Sequence, residues 1–273
     1  MTDMPSIASI IAEWESARNL HPFVGEGLSD MEFSKAWDSS ASTYSCGSYS
    51  AIRDSVLSAL DDRGLLDGTV LDIGCGPGTY AIPMSSKARH VIAADLNRGM
   101  LGRLERECAE KSIENITTVQ CDCLEIDQSY ACDLAFTSLC PPMNSPEALL
   151  YMEELGDACA YVSSCAFSEG LETRIWRSLG KSYSYTGYNT EYPYRYLKAI
   201  GREPEMMLFS QRNLAKRTVE ETVSRYISLI SRYRNIEEWM RTAIEETVES
   251  EAVDGVVTSD NKVVMGLLMW TRP

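Results

Sequence analysis

The stretch Val70-Leu71-Asp72-Ile73-Gly74-Cys75-Gly76-Pro77-Gly78-Thr79-Tyr80 constrains this chain more than any other. Its first residues read as a buried strand, and Gly74, Gly76 and Gly78 follow at alternate positions. Glycine serves where the backbone must take a positive φ or pass close to a ligand. A strand running into a glycine-rich turn and then a helix is how doubly wound α/β folds hold a nucleotide-like ligand. The spacing here is G-x-G-x-G rather than the G-x-G-x-x-G of dinucleotide binders, and Asp72 places an acid inside the strand.

The pattern downstream repeats strand and helix. Residues 90–94 read as a second strand ending in Asp95, 116–121 as a third ending in Asp122-Cys123, and 133–138 as a fourth. Residues 158–167 read as a fifth strand, 204–211 as a sixth and 263–270 as the last. Helices are expected over 5–19, where Ile7, Ile10, Ile11 and Trp14 share one face, and over 30–44, 49–65 and 97–112. Pro83 limits a short helix over 79–88. Ser145-Pro146-Glu147 marks a helix start, with serine at the cap and proline at the first position. A further helix is expected over 168–179, and two more open at the capping boxes Thr218/Glu221 and Asn235/Glu238. Residues 181–200 interrupt the alternation, with Tyr183, Tyr185, Tyr188, Tyr192, Tyr194 and Tyr196 close together.

The ordered motifs resemble those of the class I S-adenosylmethionine (SAM) methyltransferases, over roughly residues 35–167. V-L-D-I-G-C-G-P-G-T is similar to their first motif, and Asp95-Leu96-Asn97-Arg98-Gly99-Met100-Leu101 is similar to their D-x-S-x-x-M-L, with Asn97 in place of serine. Serine or asparagine there can cap the next helix. The resemblance implies a Rossmann-like, doubly wound α/β fold with a seven-stranded sheet in the order 3-2-1-4-5-7-6, the last strand antiparallel. It implies SAM as cofactor. Gly74, Cys75, Gly76 and Gly78 would pass the methionine moiety, and Asp72 would orient the loop or the ammonium group. Asp95 would hold the ribose, Asp122 the adenine amino group, and the backbone at Cys123 would meet the ring. Leu96 and Met100 would pack on the adenine or in the core, and Ser138, at the head of the active-site loop, is counted among the cofactor-binding residues.

Two further segments bear on the acceptor. Trp37-Asp38-Ser39-Ser40-Ala41-Ser42-Thr43-Tyr44 resembles the W-D-x-x-A-x-x-Y of ubiquinone-biosynthesis-like methyltransferases, which implies that Tyr44 helps close the cofactor site. Ser138-Leu139-Cys140-Pro141-Pro142-Met143-Asn144 lies where amino-directed members carry N-P-P-Y or D-P-P-Y. Cys140 and Met143 replace the polar acceptor and the aromatic ring, which argues against a flat amine. The catalytic residue stays open, with Tyr44, Cys140, Tyr188 and Tyr192 as candidates, and residues 183–196 with loop 138–143 are expected to wall the acceptor pocket. His90 reads as structural, and His21 lies in a loop. With neither H-E-x-x-H nor Cys/His ligand spacing, no catalytic metal is expected.

Composition narrows the partners. The 273 residues suit one large α/β domain with a cap, and the net charge of −15 argues against nucleic acid and anionic membranes. No apolar run is long enough to span a bilayer, and no signal peptide is evident. Nine cysteines without C-x-x-C pairs suit a reducing, cytoplasmic setting. The expected layout is an N-terminal helical cap or lid over 1–48 and a SAM-binding domain over 49–273, with cap elements near 181–200 and 213–255. A small-molecule acceptor is expected. A protein acceptor or a non-catalytic SAM-binding subunit are the alternatives, and the oligomeric state stays open.

Overall fold

The computed structural model describes residues 5–19, 35, 37–38, 41, 49–167, 170–181, 189–231 and 234–272. Parallel strands buried on both faces read as near-continuous apolar runs, and β1 (Thr69–Ile73), β2 (His90–Asp95) and β4 (Cys132–Ser138) do so. With β3 (Ile116–Gln120) and β5 (Gly156–Phe167) they form the parallel part of the sheet. β6 (Glu205–Thr218) and β8 (Val256–Thr271) complete the order β3-β2-β1-β4-β5-β8-β6, with β8 antiparallel to both neighbours. This is the expected order, with a two-residue strand β7 (Ala252–Val253) added beside β8.

Alternate side chains of the strands serve two helical layers. On one face, Val70, Val91, Leu134 and Phe136 pack with Ile52 and Leu60 of α2 (Ser50–Asp61), Met84 of α3 (Ala81–Met84) and Leu104 of α4 (Arg98–Lys111). On the other, Leu71, Ile73 and Ile92 pack with α1 (Ile7–Asn19), α5 (Pro146–Leu155) and α7 (Glu191–Ala199). Ile10 and Trp14 of α1 are buried as expected, whereas Ile7 is exposed. The helix expected to reach residue 88 ends at Met84, consistent with Pro83 within it. Ser145 caps α5 by accepting from Ala148 N–H at 3.2 Å.

β6 and β8 run well past the strands read from sequence. β8 leaves β5 at Val263 but stays paired with β6 as far as Val256. The residues in between form a two-stranded ribbon. Its β6 strand, Arg212-Asn213-Leu214-Ala215-Lys216-Arg217, lacks apolar alternation, since one side is exposed and the other only half-buried. The ribbon leads to α8 (Val219–Ile230) and α9 (Glu238–Ser250), which pack with α6 (Leu171–Ser178) around a separate core of Ile175, Trp176, Val223, Ile230, Met240, Ile244 and Val257. β5 and β6 are parallel and both end here, so this helical cap stands beyond the carboxyl edge of the sheet.

The α8 capping box forms as read: Glu221 N–H donates to Thr218 Oγ1 at 3.1 Å, and Thr218 N–H to Glu221 Oε2 at 2.9 Å. Thr218→Ala is expected to cost about 1 kcal/mol in chemical denaturation. The second box does not form. α9 starts at Glu238 with Glu237 at its N-cap and no side-chain cap, so Asn235 lies outside the helix end.

Candidate active site

The glycine turn closes on the end of β2. Gly74 N–H and Cys75 N–H both donate to Ala94 O, at 2.9 and 3.0 Å. Gly74, Gly76 and Gly78 have φ of 71°, 54° and 87°, a region that L side chains rarely enter. Their surroundings differ. A Cβ on Gly74 would lie 2.5 Å from Cys140 Sγ, and one on Gly78 would lie 2.4 Å from Leu104 Cδ1. A Cβ on Gly76 would meet nothing within 4 Å. The first glycine admits the loop after β4, the third seats α4, and the second faces open space at the carboxyl edge.

Asp95 clasps this turn. Its Oδ2 accepts from Gly76 N–H at 2.8 Å, and its Oδ1 accepts from Asn97 N–H at 2.8 Å and Asn97 Nδ2 at 3.2 Å. A carboxylate offers about four lone-pair sites, so Asp95 retains acceptor capacity toward a ligand. Burial pushes its pKa up, and the donated hydrogen bonds oppose that shift. Asn97 occupies the N-cap position of α4, but its side chain makes no cap bond there. That corrects the helix-capping expectation: its amide is directed at Asp95.

Asp72 lies in mid-sheet, opposite Ala93 and Phe136. It is buried, its Oδ2 has no hydrogen-bond partner, and its pKa is pushed up to about 7, by burial first and then by Asp95, while the Ala81 N–H opposes the shift. The folded protein therefore holds this proton well above the pH at which an unfolded aspartate, with pKa near 3.9, releases it. The group's penalty is absent below about pH 4, grows as pH rises, and is complete above about pH 7. Asp72→Asn keeps an acceptor for Ala81. It is expected to stabilise the ligand-free protein at pH 8 by about 1–3 kcal/mol and to leave it unchanged at pH 4, as read from melting curves.

The other expected positions spread along the same edge. Cys121 N–H donates to Asp95 O at 3.2 Å, which sets Asp122 beside the end of β2. Asp122 is exposed and accepts from Leu124 N–H at 2.9 Å through Oδ1. Leu96 is exposed and Met100 is buried. Ser138 and Cys140 are half-buried. Neighbouring Cys123 and burial together push the Cys140 thiol's pKa well up. Burial likewise raises the Cys75 thiol. Every cysteine among the described residues is free.

Tyr192 stacks on Trp14 with ring centroids 6.4 Å apart and planes 7° apart, and Tyr196 tilts against the same ring. Tyr44, Tyr183, Tyr185, Tyr188 and His21 lie outside the described residues. Among the described residues no group of three or more His, Cys, Asp or Glu is placed to hold a metal ion, and no helix is long and apolar enough to cross a membrane.

Two features of the site have weak signals in sequence. Leu139 takes a φ of 50° and turns the chain out of β4, although leucine is no turn residue. Asn144 is buried and accepts from the Tyr161 hydroxyl at 2.9 Å, which ties the far end of the same loop to β5.

Comparison with known proteins agrees with this geometry. The methyltransferase domain family matches residues 70–159. An uncharacterised protein of Haemophilus influenzae is 38% identical over 72 residues, 26% of each chain. A probable ribosomal RNA small subunit methyltransferase A of Methanosphaera stadtmanae is 34% identical over 59 residues, 22% of each. The chain thus spans about a quarter of the length of the curated relatives it matches. The crystal structure of a candidate methyltransferase from Bacillus halodurans C-125 covers 80% of this chain and 98% of its own at 15% identity and a TM-score of 0.52, a likeness of fold. Motifs, strand order and family match together place residues 70–159 among the class I SAM-dependent methyltransferases, as their core domain.

Proposed function

We propose that this protein transfers the methyl group of SAM to a small organic acceptor. The observation that carries the reading is Asp72 Oδ2, a buried acceptor without a donor beside a turn whose middle glycine faces open space. A primary ammonium, as at the amino-acid end of SAM, would satisfy that oxygen and favour its ionised form. Asp95 would accept from a ribose hydroxyl and Asp122 from the adenine amino group. Exposed Leu96 would offer apolar surface to the ring. When bound, SAM supplies an electrophilic methyl and its own leaving group. The chain's residues then position the acceptor and exclude water.

The acceptor would enter beside Ser138 and Cys140. A thiol with a strongly raised pKa stays protonated near neutrality, which supports Cys140 as a lining group rather than a base. Tyr44, Tyr188 and Tyr192 are proposed to contribute the remaining wall. A helical cap with its own core beyond the carboxyl edge favours an enclosed small acceptor over a docked protein. The net charge of −15 favours it over RNA, although one partial relative is named for ribosomal RNA. Incubating the protein with methyl-labelled SAM and separate small-molecule, protein and RNA fractions tests this. Label is expected in the small-molecule fraction, with or without chelator. Label confined to protein or RNA would overturn the acceptor assignment, and binding of SAM with no label anywhere would indicate a regulatory subunit.

A further inference from the structure

The first turn of any α-helix leaves N–H groups without partners inside the helix. In α4 the N-cap side chain does not meet that need, because the Asn97 amide is turned back to Asp95 Oδ1. Gly99 N–H donates instead to Asp38 Oδ1 at 2.7 Å, from a residue 61 positions earlier. The approach is close: a Cβ on Gly99 would lie 2.9 Å from Asp38 O and 3.0 Å from its Oδ1. One turn further, Arg103 Nη1 donates to Ala41 O at 2.7 Å, and Ala41 is buried. The chain at 38 and at 41 is therefore fastened to α4 at two points.

We infer that Asp38 is a positioning residue for Asp95: by capping α4 from a distance, it leaves Asn97 to hold the Asp95 carboxylate. The inference rests on the proposed cofactor role of Asp95. Asparagine is itself among the strongest N-cap residues, so Asn97 has two uses, and in the structure it serves Asp95. A carboxylate at the positive end of the helix dipole is the better cap. Without Asp38, the nearest replacement is Asn97. Its rotation toward the helix would withdraw one donor from Asp95 Oδ1 and loosen the carboxylate that faces the ligand.

The test is the affinity of the intact chain for S-adenosylhomocysteine, measured by calorimetry beside melting temperatures. Asp38→Ala is expected to weaken binding about tenfold. Asp38→Asn keeps an acceptor oxygen and should recover affinity to within about threefold of the parent. Gly99→Ala removes neither carboxylate and improves helix propensity, yet its methyl, 3.0 Å from Asp38 Oδ1, displaces Asp38 and should weaken binding as Asp38→Ala does. Adding Asn97→Ala to Asp38→Ala should cost little more, as in a coupled pair. Parent-like affinity in Asp38→Ala and Gly99→Ala, with weak binding by Asp95→Ala, would overturn the inference and leave Asp38 a packing contact. Lowered melting temperatures with unchanged affinity would do the same. If Asp38→Ala does not fold, Asp38→Asn against Gly99→Ala decides. Parent-like affinity in Asp95→Ala would instead overturn the cofactor role on which the inference rests.

Discussion

Asp95→Ala is expected to weaken S-adenosylhomocysteine binding by about 1.5–3 kcal/mol. The carboxylate already accepts three hydrogen bonds, which leaves one lone-pair site for a charge-assisted bond to a ribose hydroxyl, and alanine makes none. The three clasp Gly76 N–H and both nitrogens of Asn97, so the substitution frees the turn that a ligand must meet. Burial raises the Asp95 pKa, so parent binding should weaken in acid sooner than an ordinary carboxylate would allow. Protonation converts one acceptor oxygen to a donor. Calorimetry across pH reads both effects, and the pH dependence in this range should be smaller in the alanine variant.

Gly74→Ala is expected to destabilise the fold by about 2–4 kcal/mol. The backbone there sits at φ 71°, and the added methyl would lie 2.5 Å from Cys140 Sγ and 2.9 Å from Cys140 Cβ. Cys140 is the N-cap of the 3-10 turn Pro141–Met143, and its Cβ as well as its sulfur stands in the way, so rotating the thiol alone does not relieve the contact. Chemical denaturation reads the loss. Cys140→Ala should offset part of it by removing the sulfur, which makes the pair a double-mutant cycle for the contact between the glycine turn and the loop after β4.

The parts of this fold that were legible in sequence are those dictated locally. A buried strand, three spaced glycines and a strand-end acid announce β1, the turn and β2 within a few dozen residues. Burial on both faces makes β4 stand out as an apolar run too, whereas edge strand β3, Ile-Thr-Thr-Val-Gln, is half-exposed and does not. Features that depend on distant partners were harder to read. The β6 strand of the ribbon lacks apolar alternation because it is exposed on one side and only half-buried on the other, and its pairing with β8 is tertiary. α7 holds three of the clustered tyrosines, but its packing on Trp14 depends on a helix nearly two hundred residues away. Asn235 has the spacing of a cap and is not one, since the helix starts at Glu238.

At the site itself, residue types announced chemistry more clearly than they announced partners. Asp95 was legible as a strand-end acid, but its hydrogen bonds to Gly76 and Asn97 emerge only from the closed turn. Asp38 reads as one letter of a W-D-x-x-A-x-x-Y pattern. Its position on the first turn of α4 is tertiary, so no local capping rule could find it.

The most direct measurement of the central claim is calorimetric titration of S-adenosylhomocysteine into the intact protein at neutral pH, with Asp72→Asn and Asp95→Ala alongside. One site per chain is expected, with binding weakened in both variants even though Asp72→Asn is the more stable protein when ligand-free. Absence of saturable binding by the parent protein, or binding that neither substitution alters, would contradict the account.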